Sequence, residues 1–292
     1  MRYHVIHKTE YEYSEPVSYS HNEARLLPRI APTQLCNAAS LKIEPEPDDY
    51  SEHVDFFGNR VAYFCIREPH KRFSVTASSE VEVVSSLQLD FSNGTAWEAA
   101  RLALIDTPEA LQYALESPFV ATSPELMGYA NPSFPAGRPL LDAVHDLMQR
   151  IHADFAYDPG FTTLATPLSE VLAHRRGVCQ DFAHLAIGCL RSQGLAARYV
   201  SGYIETLALP GKVKLAGADA SHAWFSVYLP DRGWMDFDPT NNQIPADRHV
   251  VVAWGRDYGD VTPLKGVIFG GGDHGLAVSV DMRNLDSSGP SA

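Results

Sequence analysis

The spacing of apolar residues changes period once along this 292-residue chain, and that change limits what the chain can fold into. Through residues 1–86 apolar positions alternate, as in Tyr3-His4-Val5-Ile6-His7, Tyr11-Glu12-Tyr13, Leu41-Lys42-Ile43-Glu44 and Phe73-Ser74-Val75-Thr76-Ala77. Alternation places successive side chains on opposite faces of a strand and cannot be laid along a helix. Breakers at Pro16, Pro28, Pro32, Pro45, Pro47 and Gly58-Asn59 cut the segment into short strands, which predicts a β-sandwich or small barrel. From residue 87 helix signals take over. Thr95 with Glu98 reads as a capping box, and Thr107-Pro108-Glu109 and Ser123-Pro124-Glu125 as caps with proline in the first turn. Leu140, Leu141, Val144, Leu147, Met148 and Ile151 form a helical stripe. The expected class is therefore α+β. A β-rich N-terminal domain occupies 1–86, a helical connector 87–137 and a core 138–292, in which a helix packs on an antiparallel sheet.

Within that core, Pro167 opens a helix ending near His174. A second helix, Cys179–Gln193, has its apolar face at Phe182, Leu185, Ala186, Cys189 and Leu190 and a stop at Gly194. Strands are expected from Arg198 to Ile204, His222 to Leu229, Trp234 to Asp238, Val250 to Trp254, Gly266 to Phe269 and Leu276 to Met282. A loop surrounds Pro210-Gly211, and the small polar tail from Asp286 frays.

Composition removes several partners. A net charge of −13 argues against nucleic acid and anionic membrane. No apolar run reaches the ~20 residues of a membrane span or the length of a secretory signal, so the chain reads as soluble and cytoplasmic. The four cysteines Cys36, Cys65, Cys179 and Cys189 form no CxxC pair. Cys179 and Cys189 are separated by roughly 15 Å along one helix, too far for a disulfide, and Cys36 and Cys65 read as reduced, buried thiols. Twelve histidines are scattered with no HExxH spacing, so no metal or other cofactor is expected.

Three segments carry chemistry. Cys179 follows Arg175-Arg176-Gly177-Val178 at a helix start, where free backbone N–H groups and the positive dipole end favour a thiolate. Cys189, on the apolar stripe, is a filler. His222 shares a strand face with Trp224, Ser226 and Tyr228, where a histidine can equally be structural. Asp236 and Asp238 share a face of the next strand, and Asp238-Pro239-Thr240 can also simply begin a turn. Register decides whether imidazole and carboxylate meet. Direct opposition of His222 and Asp238 needs Tyr228 opposite Arg232, whereas a four-residue loop pairing Leu229 with Trp234 places them on opposite faces.

Four segments resemble the bacterial transglutaminase-like superfamily, a papain-like group of cysteine enzymes. They are Gly177-Val178-Cys179-Gln180-Asp181-Phe182-Ala183-His184, Ala197-Arg198-Tyr199-Val200-Ser201-Gly202-Tyr203, Ser221-His222-Ala223-Trp224, and Gly233-Trp234 through Asp238-Pro239-Thr240. His7 to Tyr13, Arg25-Leu26-Leu27-Pro28-Arg29 and Asp55-Phe56-Phe57-Gly58-Asn59 resemble the β-rich domain that often precedes this core. The resemblance implies a papain-like transglutaminase core at 138–292. It makes Cys179 the nucleophile, His222 the base and Asp238 the orienting acid, preferred to Asp236 because the family's acid precedes Pro-Thr. Tyr157, Gln180 and Trp224 are further oxyanion or substrate-binding candidates, with core packing the equal alternative for Tyr157.

The function expected is cysteine-dependent acyl transfer on an amide or peptide bond through a thioester. Peptidase- or amidase-type hydrolysis is the main expectation and the substrate a peptide or protein amide. An amine acceptor would make a protein-glutamine transglutaminase. A peptide-binding module on the same scaffold would need none of the three residues.

Overall fold

The computed structural model describes residues 1–84, 91, 94–164, 166–206 and 220–286. The expected boundary at 86/87, the Pro210-Gly211 loop and most of the polar tail lie outside them.

The N-terminal region opens with β1 (Arg2–Ala24), followed by β2 (Gln34–Glu44), β3 (Asp49–Val54), β4 (Arg60–Ile66) and β5 (His70–Val83). β1 buries Tyr3, Val5, His7, Thr9, Tyr13 and Val17, then Ser20, Asn22 and Ala24. Inward parity changes from odd to even beyond Val17, where the ladder also shifts register. An extra residue in a strand does this, and Pro16, which cannot donate to a ladder, stands beside the shift. The expected hairpin turn at Gly58 joins β3 and β4, and Gly58 takes φ +79°, a left-handed value that glycine adopts without strain.

The connector holds α1 (Trp97–Ala103), α2 (Pro108–Leu111) and α3 (Pro124–Ala130). Ser123 caps α3 as expected, accepting from the Leu126 N–H. The Thr95–Glu98 box does not form. Ala96 is the N-cap, Thr95 bonds Asp231, and Glu98 accepts from the Gly137 N–H.

The core follows: α4 (Leu140–Asp154), β6 (Ala156–Tyr157), α5 (Leu168–His174), β7 (Arg176–Gly177), α6 (Cys179–Ser192), β8 (Ala197–Ile204), β9 (Ala220–Leu229), β10 (Gly233–Phe237), β11 (His249–Gly255) and α7 (Tyr258–Val261). Its antiparallel sheet has the order β10-β9-β8-β11. The odd-numbered side chains Ala223, Phe225, Val227 and Leu229 of β9 share one apolar cluster with α4 and α6, in which the six-residue α4 stripe is fully buried. Burying each large side chain there contributes roughly 1.5–3 kcal/mol.

The chain then returns. β12 (Leu264–Gly270) and β13 (His274–Asn284) pair with β1 rather than with the core sheet. They complete a seven-stranded antiparallel sheet with the path β2-β5-β1-β4-β3. Periodicity identified both as strands, but periodicity does not name a strand's partner. Tyr3, Val5, Val81, Val83, Val280 and Met282 belong to the same apolar cluster as α4 and α6, so the N-terminal sheet and the core share one interior. Two side-chain amides join them further. Gln34 bonds both the N–H and the C=O of Val251, and Asn59 does the same at Trp254, along the edge of β11.

Candidate active site

Cys179 is the first residue of α6, so its N–H has no acceptor within the helix. The approach is held from below by Asp181, whose carboxylate accepts from the Val178 N–H at 2.8 Å and the Thr162 hydroxyl at 2.6 Å. Burial pushes the Asp181 carboxyl up, against the pull of those two hydrogen bonds. Gly177 has to lack a side chain, because a Cβ there would stand 2.8 Å from Asp181 Cβ. The short parallel pair β6–β7 sets Tyr157 opposite Gly177. Tyr157 is 56% exposed, its ring meets Phe182 edge-on at 6.4 Å, and its hydroxyl is pushed up by burial and by the charges of Cys179 and Asp181.

The β9–β10 register matches neither pairing considered above. Tyr228 lies opposite Trp234 and Leu229 opposite Gly233, whose φ of +80° closes the turn. This keeps His222 and Asp238 on one face as diagonal neighbours rather than direct partners. His222 Nε2 meets Asp238 Oδ2 at 2.8 Å, and the Cys179 thiol is near enough to the same imidazole to favour its charged form. Burial opposes charge on His222, but Asp238 and Cys179 together outweigh burial and raise it to about 10. Asp238 is fully buried. Burial pushes its carboxyl up, and the bonds from His222, His249 and Asn241 overcome this and hold it far below the usual carboxylate range.

Two partners of Asp238 were not foreseen. His249 Nε2 lies 3.1 Å from Oδ2, and Asn241 donates to Oδ2 at 2.7 Å. The N–H groups of Thr240 and Asn241 donate to Oδ1, so the Asp-Pro-Thr turn and the carboxylate site are one structure. The ligand-type atoms of His222, Asp238 and His249 lie within 4.8 Å of one another, a spacing that suits a divalent ion as well as hydrogen bonds. The turn motif itself was a signal for the two backbone donors; nothing local marked His249, which arrives from β11.

Asp236 serves Trp224, accepting from its indole N–H at 3.0 Å. Trp224, expected at an oxyanion or substrate face, is 0% exposed. It packs against Gly202, where a Cβ would come within 2.5 Å of the indole and 2.1 Å of the Val250 carbonyl oxygen, and meets His249 edge-on at 5.2 Å. Trp224 is thus part of the wall behind the imidazoles. Gln180 is half-buried on the first turn of α6. His184, in the same motif, is buried and accepts from the Tyr258 N–H, and burial lowers it to about 4. All four cysteines are unpaired; Cys36 is half-buried rather than buried, and burial pushes Cys189 up to about 12.

Residues 130–239 match the transglutaminase-like superfamily, and residues 3–82 match the bacterial transglutaminase-like N-terminal region. An uncharacterized protein of Mycobacterium tuberculosis (strain ATCC 25618 / H37Rv) is 44% identical over 289 residues, covering 96% of this chain and 92% of its own. The chain belongs to the transglutaminase-like superfamily. An uncharacterized protein of Mycobacterium leprae (strain TN) is 36% identical over 288 residues, covering 97% of this transglutaminase-like chain and 99% of its own. A protein-glutamine gamma-glutamyltransferase of Pseudomonas aeruginosa is 28% identical over 128 residues, 37% of this chain and 19% of its own. Among solved structures, a Cytophaga hutchinsonii protein provisionally described as a cysteine protease has a TM-score of 0.77 at 21% identity, covering 99% of this chain and 92% of its own. That likeness shows a fold shared with the Cytophaga protein over nearly the whole chain. Among the described residues no helix is long and apolar enough to cross a membrane.

Proposed function

We propose that this protein carries out acyl transfer on amide bonds through a thioester at Cys179, with water as the usual acceptor. One observation carries the reading: a single buried imidazole, His222, is bonded to the Asp238 carboxylate at 2.8 Å and has its charged form favoured by Cys179 at the mouth of α6. With its pKa near 10, His222 is an imidazolium at neutral pH, the counter-ion that a thiolate nucleophile requires. Cys179 sulfur attacks the carbonyl carbon, and the tetrahedral oxyanion is met by the Cys179 N–H. Tyr157 is the second donor, and Gln180 contacts the bound substrate from the same turn. His222 gives its proton to the leaving amine as the C–N bond breaks, leaving a thioester and a neutral imidazole. That imidazole then takes a proton from water, hydroxyl attacks the thioester, and the thiolate departs. Asp238 fixes the ring orientation and balances its charge throughout.

An amine in place of water gives the transglutaminase reaction. The likeness to the Pseudomonas aeruginosa gamma-glutamyltransferase favours this as the second reading.

A peptide library incubated with and without a primary amine, and read by mass spectrometry, tests both. Hydrolysed products that vanish in Cys179→Ala support the first reading and amine adducts the second. A wild-type protein no more active than Cys179→Ala across the library would remove both.

A further inference from the structure

The even-numbered face of the core sheet does not close completely against the N-terminal region. Between them lies a cavity of about 730 Å³. Its sheet side includes Arg198, Trp234, Asp236, His249 and Trp254, and its other walls include Arg29, Ile30, Pro32, Ile244 and Pro245. The size falls within the ~300–1,000 Å³ range of small-molecule sites. Cys179 is not among the lining residues.

The cavity opens to solvent beside Ile30, but its charged lining is unusual in being itself buried. Arg29 is 8% exposed and Arg198 7% exposed, and they stack on Trp254 at 3.1 and 3.7 Å from the ring centroid. Neither guanidinium forms an ion pair with a carboxylate among the described residues. Arg29 bonds the Phe57 carbonyl oxygen and the Asn59 side chain. The nearby acid, Asp236, is already engaged by Trp224. Arg232 adds a third cation to the lining. Three buried polar atoms without a protein partner belong to residues that line this cavity: Arg29 Nε, Arg198 Nε and His249 Nδ1. Burial lowers both guanidiniums to about 10, helped at Arg29 by the Arg198 charge. Elsewhere the protein compensates such a group. Arg191, equally buried in α6, donates to Tyr113, Ser117, Ala197 and Arg256. Arg198 stacks on Trp234 and Trp254 but has no ion pair among the described residues and leaves Nε without a hydrogen bond, and a buried charge so placed is costly, so it marks a place where a negative group belongs.

We propose that this cavity is a second ligand site, which takes a small carboxylate with an apolar, flat body. The carboxylate sits against Arg198 and Arg29, and the body lies along Trp234, Ile244 and Pro245. The site is separate from the proposed reaction centre but shares a wall with it, because His249 faces the cavity and holds Asp238 with its other nitrogen.

Calorimetric titration with 2-naphthoate and its neutral isostere 2-naphthamide tests this. We expect one 2-naphthoate per chain and at least about tenfold weaker binding of the amide, the loss for one unpaired charged contact. Arg198→Gln should weaken 2-naphthoate about tenfold or more, and Ile244→Trp, which fills the space without changing charge, should abolish binding. Cys179→Ala should bind as the wild type does, which separates this outcome from the fate of the thioester reading. Equal affinity for acid and amide, or wild-type affinity in both Ile244→Trp and a folded Arg198→Gln, would overturn the proposal.

Discussion

The two faces of β9 share ten residues of backbone and little else. The odd face, Ala223 to Leu229, is apolar and sealed by the helices, and Phe225 stacks on Phe237 within it. The even face carries His222, Trp224 and Ser226, of which His222 is bonded to Asp238, just past β10, and Trp224 to Asp236 within it. One side of a strand thus supplies packing energy, and the other supplies placed polar atoms. The difference teaches that the second role depends on the first. An imidazole can be positioned this closely only because the opposite face fixes the strand.

Substitutions on the two faces should therefore fail in different ways. Cys179→Ala and His222→Ala should each reduce turnover on any substrate found by more than about 10³-fold, the Cys179→Ala protein with a melting temperature close to wild type. Turnover surviving in Cys179→Ala would break the reading of the even face as the reactive one. Asp238→Asn should lower turnover by roughly 10²–10⁴-fold, whereas Asp236→Asn should cost less than about tenfold, because it releases an indole and not the imidazole. If Asp236→Asn proved the more damaging, the roles of the two β10 acids would have to be exchanged.

On the sealed face, Phe225→Ala should cost about 3–5 kcal/mol in denaturant unfolding, while the activity per folded molecule stays near wild type. A specific loss of activity there would erase the contrast between the faces. A smaller effect concerns pH. His222 has its folded pKa raised from 6.5 to about 10, so the stability it contributes is complete below 6.5 and is lost as pH rises toward 10. The stability difference between wild type and His222→Gln should shrink across that window, and a constant difference would mean that His222 is not charged when folded. The smallest expected effect is none at all. Millimolar chelator should leave turnover unchanged if His222, Asp238 and His249 are linked by hydrogen bonds alone, and inhibition relieved by zinc would turn the cluster into a metal site.

How much of this could be read in advance follows the same division. Local periodicity reached α4, α6 and the β9 and β10 strands, and glycine and helix-start chemistry reached Cys179. The preference for Asp238 over Asp236 needed the family resemblance, because both acids lie on one face and only tertiary register separates their partners. His249 was invisible because it reaches Asp238 from β11, across the sheet. Trp224 was misplaced because its alternation fixes a face but not whether that face is covered, and Gly202 is what lets it sink. The tail strands were recognised, yet their pairing with β1 depends on an edge some 260 residues away in sequence.

That pairing has a consequence for how the protein is made. β1 precedes the core in the chain, but β12 and β13, which pair with it, follow the core and leave the ribosome only after it has been synthesised. While the core is being synthesised, the edge of β1 that β12 and β13 will cover lacks those two partners. Such an edge is a template for pairing with a neighbouring nascent chain. The final bonds, from the Leu285 N–H to the Arg2 carbonyl and from Arg2 to Asp286, draw the two ends together only when the last strand arrives. A stop codon shortly after α7 would therefore leave every proposed catalytic residue present in a chain whose β1 edge stays uncovered.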